Sequence, residues 1–549
     1  MEDFVRQLRD AGFTGDIDDS EELRERYSHD ASIFEIQPQL VVAPKDSKDV
    51  QRLVALTSKS KKQLPDLSLT ARSAGTDMSG GAINESVIVD FNKYLTKIEK
   101  VTAEMGHAQP GVFYRDFEKA TLKKQVLMPS YPASRDLCTI GGMVANNAGG
   151  EKSLEYGKVE DFVTELKVVF ADGNEYTVRP LTKPELIKKM AQKDYEGRLY
   201  KQLFELIEAN YDKIKAAKPN VSKNSMGYHL WNVWDRDTGV FDLTKLIVGS
   251  QGTLGLVTDI KFRLVPAKPH SGLLVCFLKD MNKLGDVINK GLEHKPASFE
   301  CFDDHTLWLS IKLMPYFVQT LGVWGLIKLL ISLIPDGFLL LRGIPKMVLM
   351  VEFTGQTQEE VEDKIDKLRI DFRRYNMAME RNETEAKSQK FWLMRRHAFN
   401  LLRKKVKDKH TAPFIDDLVV NPEHLPEFLP KIRRIIKKYK LQSTVQGHIG
   451  DGNFHIIPLM KIEESKERKK LLPAMKEVDD LVLHYDGSLS GEHNDGMVRG
   501  PWLEEQYGRA IVKLFRQTKQ IFDPENIFNP RKKSDADWDY SYRHIRKSF

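Results

Sequence analysis

Cysteine is scarce. The 549 residues hold three, Cys138, Cys276 and Cys301, far apart and with no Cys-x-x-Cys pair. That excludes a disulfide framework and gives no ligand set for an iron–sulfur cluster. An excess of one charge is lacking too: 84 Lys and Arg face 78 Asp and Glu, a net +6 with both signs interspersed. This is a solvated mixed surface, and it argues against nucleic acid as a partner. The start, Met1-Glu2-Asp3-Phe4-Val5-Arg6, has no apolar core of a signal peptide, which predicts a cytoplasmic protein. No Gly-x-Gly-x-x-Gly follows a strand pattern, so a Rossmann dinucleotide fold is not expected.

What is present is a soluble-type composition, 41% hydrophobic and 30% charged, in a chain too long for one ordinary core. Its most specific stretch is Gly447-His448-Ile449-Gly450-Asp451-Gly452-Asn453-Phe454-His455. Turn-forming residues lie between two histidines, and both flanks read as strands. With Gly450–Asn453 as the hairpin loop, His448 falls opposite His455. Cross-strand Cβ atoms about 4.5–5.5 Å apart suit two imidazoles sharing one metal ion. Some forty residues on, Gly491-Glu492-His493 adds an acid and a further base.

Upstream, Gln39–Pro44 reads as a short strand, Ser47–Ser58 as an amphipathic helix, and Leu67–Arg72 as the next strand. That strand runs into Ser73-Ala74-Gly75-Thr76-Asp77-Met78-Ser79-Gly80-Gly81-Ala82, small residues whose backbone N–H groups can form an anion-binding nest. A second glycine-rich run, Cys138-Thr139-Ile140-Gly141-Gly142-Met143-Val144-Ala145-Asn146-Asn147-Ala148-Gly149-Gly150, is costly in backbone entropy and predicts another molecule lying along it. Leu166–Ala171, the turn Asp172-Gly173 and Glu175–Val178 form a hairpin pattern. In Leu246–Thr258 a buried strand is expected to enter a glycine loop and leave as a second strand.

These segments resemble the flavin-binding domain of the vanillyl-alcohol oxidase / p-cresol methylhydroxylase (PCMH) type, and the chain resembles the D-lactate dehydrogenase / glycolate oxidase group within it. The resemblance implies an α+β fold: a two-subdomain FAD-binding domain, a cap with an antiparallel sheet and helices, and a C-terminal segment returning to the flavin. It implies FAD contacts at Arg72, Ser73, Ala74, Gly75, Thr76, Asp77 and Ser79 in the pyrophosphate loop. It extends them to Pro129, Thr139, Gly141, Gly142, Asn146, Asn147 and Gly149, to Gln251, Gly252, Gly255 and Val257, and to Asn529 in the terminal Asp523-Pro524…Asn529-Pro530 signature. Gln251 stands where the family usually has glutamate. The covalent histidine of some members is replaced in the first loop by Thr76 and Asp77, so FAD is expected to be bound non-covalently.

The expected domains are a helical lead-in at 1–35, the FAD-binding domain at 36–267, the cap at 268–470, and a C-terminal helical segment at 471–549. Within the cap, 270–300 and 346–380 read as two strand–helix units. Between them lies an apolar insertion, 313–345, bounded by prolines and carrying Lys328 and two glycines at 322 and 325. It is too interrupted for a membrane span. Peripheral attachment to the cytoplasmic membrane face and a buried core or oligomer helix both stay open.

For the chemistry, the resemblance implies that His448, His455 and Glu492 hold a divalent metal, that His493 is the general base, and that Arg395 binds the substrate carboxylate. Two imidazoles and a carboxylate suit zinc, with manganese or iron as alternatives. Such a site would oxidise a small D-2-hydroxy acid, D-lactate being the simplest. Related 2-hydroxyglutarate enzymes have a lysine where this chain reads Pro413-Phe414-Ile415-Asp416, which tilts the expectation away from a dicarboxylate. Electrons would pass to a quinone or to a separate electron-transfer protein, since no cysteine cluster follows. A D-2-hydroxyglutarate or glycolate dehydrogenase, or a non-redox alkyl transferase of ether-lipid synthesis, is the competing reading.

Overall fold

A computed structural model describes residues 1–312, 344–383, 387–395 and 408–547. The apolar insertion falls almost wholly outside these residues. Among those described, no helix is long and apolar enough to cross a membrane.

A small sheet opens the chain. Leu40–Ala43 and Leu69–Arg72 both run parallel to Val87–Asp90, which lies between them. Parallel strands need a crossover, and the helix Ser47–Ser60 supplies it. Asp46 caps that helix by accepting from the Asp49 N–H, and Val50, Leu53 and Val54 are buried. The expected helical lead-in also contributes a strand, Asp16–Asp18, antiparallel to Leu40–Ala43 at the sheet edge. At the other side Phe528 bridges to Leu69 in parallel.

A second, antiparallel sheet has the order Ile98–Val101, Met105–Ala108, Leu256–Arg263, Val163–Val169, Glu175–Val178. Its last pair is the hairpin expected around Gly173. Leu246–Val248, expected as a strand, differs: Thr244–Ile247 is a short helix. The Asp242 carboxylate accepts from the Thr244 N–H at 3.0 Å and starts the turn. A short apolar run does not by itself separate strand from helix.

Among the described residues the third sheet has eight strands. Six run antiparallel in the order Ala378–Asn382, His270–Leu278, Met347–Gly355, Ser298–Asp303, Gln442–His448, Asn453–Met460, and both His410–Thr411 and Leu418–Val419 pair with the last. The two strand–helix units of the cap lie side by side as the sequence pattern predicts. Alternate residues divide the sheet into two faces. Leu274, Cys276, Cys301, Leu349 and Val351 share a core with the helices Leu284–Glu293 and Gln358–Phe372, where Val361, Ile365, Leu368 and Phe372 are all buried. Leu273, Val275, Phe302, Val348 and Met350 pack instead on Phe391, Trp392 and Met394. The residue that follows this patch on the covering helix is Arg395.

Candidate active site

A cavity of about 870 Å³ runs between the small sheets and the eight-stranded sheet. That is near the upper end for ligand pockets, roughly 300–1,000 Å³. Of the residues expected to bind FAD, Arg72, Ser73, Ala74, Gly75, Thr76, Asp77, Thr139, Gly141, Gly142, Asn146, Gly149, Gln251, Gly252, Gly255 and Val257 line it. Among the described residues no acceptor meets the backbone N–H of Ala74, Gly75 or Thr76, as a loop open to an anion requires. The loop is held from behind. Arg72 donates to the His29 carbonyl at 2.8 Å and lies over the Tyr27 ring. Asp77 folds back to accept from Gly81 N–H at 2.6 Å and from Asn146 Nδ2 at 2.8 Å. Gly75 has φ +67°, and a Cβ there would lie 2.4 Å from the Arg72 guanidinium.

Ser79, Pro129, Asn147 and Asn529 do not line the cavity but are buried around it. Ser79 hydrogen-bonds Asp77 and receives Gln251 Nε2 at 3.0 Å. Asn147, at φ +49°, ends the helix Ile140–Asn146 whose N-cap is Thr139. Asn529 accepts from Thr70 Oγ1 and donates to the carbonyls of Gly81 and Gln251, joining the two glycine loops. The glycine run itself answers partly to the protein. A Cβ at Gly150 would lie 2.1 Å from the Tyr131 carbonyl oxygen, and one at Gly141 would lie 2.5 Å from Pro110. Close packing against the chain itself demands these two glycines.

The two-histidine hairpin forms with a different register. His448 pairs with Asn453 and Gln446 with His455, so the histidines are diagonal neighbours rather than direct partners. The turn closes one residue earlier than expected, over Ile449–Gly452 with Gly452 at φ +65°. Asn453 belongs to the strand, where its side chain donates to Asp417 and to the Leu418 carbonyl. Both rings still share one face, with centroids 5.3 Å apart.

Three imidazoles converge on one carboxylate oxygen. The Nε2 atoms of His448 and His455 each lie 3.3 Å from Glu492 Oε1, and that of His493 lies 4.0 Å away. Each opposite nitrogen meets a buried acid: His448 Nδ1 to Glu300 at 2.6 Å, His455 Nδ1 to Asp416 at 3.2 Å, His493 Nδ1 to Asp416 at 2.9 Å. Acids behind imidazoles that aim their free nitrogens at one point are the second layer typical of a metal centre. Among the described residues, ligand atoms of Asp417, His455, Glu492 and His493 also lie within 4.8 Å of one another. Asp417 is already engaged, its oxygens accepting from the backbone N–H groups of Glu492 and His493. His455, Glu492 and His493 line the cavity whereas His448 sits behind them.

Charge in this cluster is set by its neighbours. Burial disfavours a charged Glu492, but Lys223 and His448 outweigh it and hold the carboxyl well below its usual range. Burial likewise opposes charge on His455, yet Asp416 and Glu492 raise that imidazole to about 10. Arg395 lines the same cavity and is paired with Glu300, its Nη2 3.0 Å from Oε2. Four residues of this centre escape sequence reading: Lys223, Glu300, Asp416 and Asp417. Asp416-Asp417 is a local acid pair and is the one available signal. Lys223 and Glu300 stand alone in sequence.

Comparisons with known proteins bear on the fold and on the cofactor. Residues 38–179 match the family described as FAD binding domain, and residues 268–533 match FAD linked oxidases, C-terminal domain. The chain is 28% identical over 540 residues to D-2-hydroxyglutarate dehydrogenase of Pseudomonas putida, covering 96% of this chain and 51% of that protein. It therefore spans about half the length of that relative. It is 25% identical to the glycolate oxidase protein GlcD of Bacillus subtilis over 96% of each chain. The solved structure of p-cresol methylhydroxylase with substrate bound aligns at TM-score 0.66 and 15% identity, over 98% of this chain and 97% of that one, which shows the fold alone. The chain thus carries an FAD binding domain and the C-terminal domain of FAD linked oxidases, the two parts of an FAD-dependent oxidoreductase, in an α+β fold of PCMH type.

Proposed function

We propose that the chain oxidises a D-2-hydroxy acid, D-lactate foremost, to the 2-oxo acid and passes the electrons to a quinone or protein acceptor. The observation that carries this reading is the convergence of three imidazole Nε2 atoms on Glu492 Oε1 at the wall of the flavin cavity. FAD, bound non-covalently, supplies the acceptor for the C2 hydride, and a divalent ion, zinc before manganese or iron, supplies a Lewis acid that eases loss of the hydroxyl proton.

The chain's own residues do the rest. His448, His455 and Glu492 hold the ion. His493 is 20% exposed, against 4% for His448, and so is the imidazole placed to take the hydroxyl proton. Arg395 receives the substrate carboxylate. Relatives bear the names D-2-hydroxyglutarate dehydrogenase and glycolate oxidase, so these acids are the competing substrates.

The test is anaerobic bleaching of the purified yellow protein. D-lactate is expected to bleach it and L-lactate to leave it yellow. Bleaching by D-2-hydroxyglutarate but not by D-lactate would overturn the monocarboxylate assignment. No bleaching by any 2-hydroxy acid would overturn the dehydrogenase reading in favour of a non-redox flavoprotein.

A further inference from the structure

Glu300 lies on the strand Ser298–Asp303 and is 1% exposed. Its two oxygens serve two different partners. Oε1 is 2.6 Å from His448 Nδ1. Oε2 accepts from Arg395 through Nε at 3.2 Å and Nη2 at 3.0 Å. The register explains the reach: Cys301 pairs with Gly447, so Glu300 and His448 stand side by side on one face. Arg395 arrives from the helix that covers the same face.

We propose that Glu300 is a positioning residue that couples recognition of the substrate carboxylate to the geometry of the metal-holding imidazole. The inference rests on the roles proposed above for Arg395 and His448. A guanidinium presents its donors in a rigid fork. Glu300 takes the Nε edge, and among the described residues no acceptor meets Nη1, which leaves that edge for a carboxylate; bidentate pairing needs it held in one plane. On the other side, a carboxylate at Nδ1 fixes the His448 tautomer that leaves Nε2 bare for a metal. A carboxylate holding only one of these groups would leave an oxygen for water or a backbone donor. Here both oxygens are engaged, and both partners depend on the same rigid plane. An arginine shift on binding the substrate is thereby felt at His448.

Glu300→Gln keeps the volume but offers one acceptor oxygen for two demands. In the FAD-loaded protein it is expected to lower Zn²⁺ affinity about 10–100-fold, read by competition with a chelator, and to raise KM for D-lactate at least tenfold. Arg395→Gln should raise KM and also lower Zn²⁺ affinity, by less than Glu300→Gln does, because it frees one side of the carboxylate that holds His448; a Zn²⁺ affinity unmoved by Arg395→Gln overturns the coupling. Should Glu300→Gln not fold, the double variant Glu300→Gln/Arg395→Gln removes both buried charges together, and its Zn²⁺ affinity should still fall as far. Unchanged Zn²⁺ affinity in a folded Glu300→Gln or double variant overturns the coupling, as does a KM unmoved by Glu300→Gln. A wild-type chain that neither retains Zn²⁺ nor is reduced by D-lactate overturns the functional reading underneath, and the coupling with it.

Discussion

The ammonium of Lys223 lies 3.3 Å from Oε2 of Glu492, with both side chains buried. The same nitrogen is 3.2 Å from Asp451 Oδ2 and donates to the Gly150 carbonyl. One cation thus ties the histidine hairpin, the glycine run and the Glu492 loop together.

Lys223→Met should therefore take a shared cation from two buried carboxylates, Glu492 and Asp451, and cost about 3–5 kcal/mol. Chemical denaturation checks this. Combined with Glu492→Gln the loss should be clearly smaller than the sum of the two single changes; strict additivity would show that the pair does not interact.

Stripping the protein with a chelator should leave it yellow but no longer bleached by D-lactate, and added Zn²⁺ or Mn²⁺ should restore bleaching. His493→Ala should keep its metal and flavin yet slow reduction about 10²–10⁴-fold, the usual contribution of a general base. Reduction at the wild-type rate in the metal-free protein refutes the metal role, and loss of metal in His493→Ala would make that residue a ligand.

Gly452 turns the hairpin at φ +65°, and a Cβ there would sit 1.8 Å from the Val420 carbonyl oxygen. Gly452→Ala should push the hairpin off its neighbour and lower metal content, while FAD content stays as in the wild type because the flavin loops lie elsewhere. Metal analysis and flavin absorbance separate the two; parallel loss of both would mean that the hairpin supports the whole fold.

Asp479, on the helix Leu471–His484, is pushed by burial up to about 8, although Arg499 pulls the other way. An unfolded aspartate titrates near 3.9. Between these values the folded chain holds a proton that the unfolded chain has lost, so this group makes stability fall as pH rises and stops contributing further change above about 8. Asp479→Asn should melt higher than wild type near pH 8, with the gap closing toward pH 4. Melting curves that differ by a constant amount across that range would contradict the assignment.

How much of this is legible in the sequence follows from how local each feature is. The 73–82 loop and Gly249–Gly255 show because small residues in a row are a backbone demand, visible without knowing partners. The cap helix Gln358–Phe372 shows because Val361, Ile365, Leu368 and Phe372 recur at helical spacing. The hairpin register differs from the expected one because Asn453 is as good a turn former as a strand residue, and its choice depends on Asp417, 36 residues away. Leu246–Val248 reads as a strand because so few apolar residues carry no period. Glu300 and Lys223 reach the centre across 148 and 269 residues, and no spacing rule links such positions.

Asn529 closes on Thr70 across 459 residues of intervening chain. At about 5–20 residues per second of synthesis, the N-terminal half waits roughly 20–90 s for the segment that braces its two glycine loops. During that interval the edge of Leu69–Arg72 that Phe528 later covers is an open strand, which proteins ordinarily shield. The cofactor site is therefore a late product of biosynthesis, and truncations that spare every cavity-lining residue but remove 527–529 should yield colourless, association-prone protein.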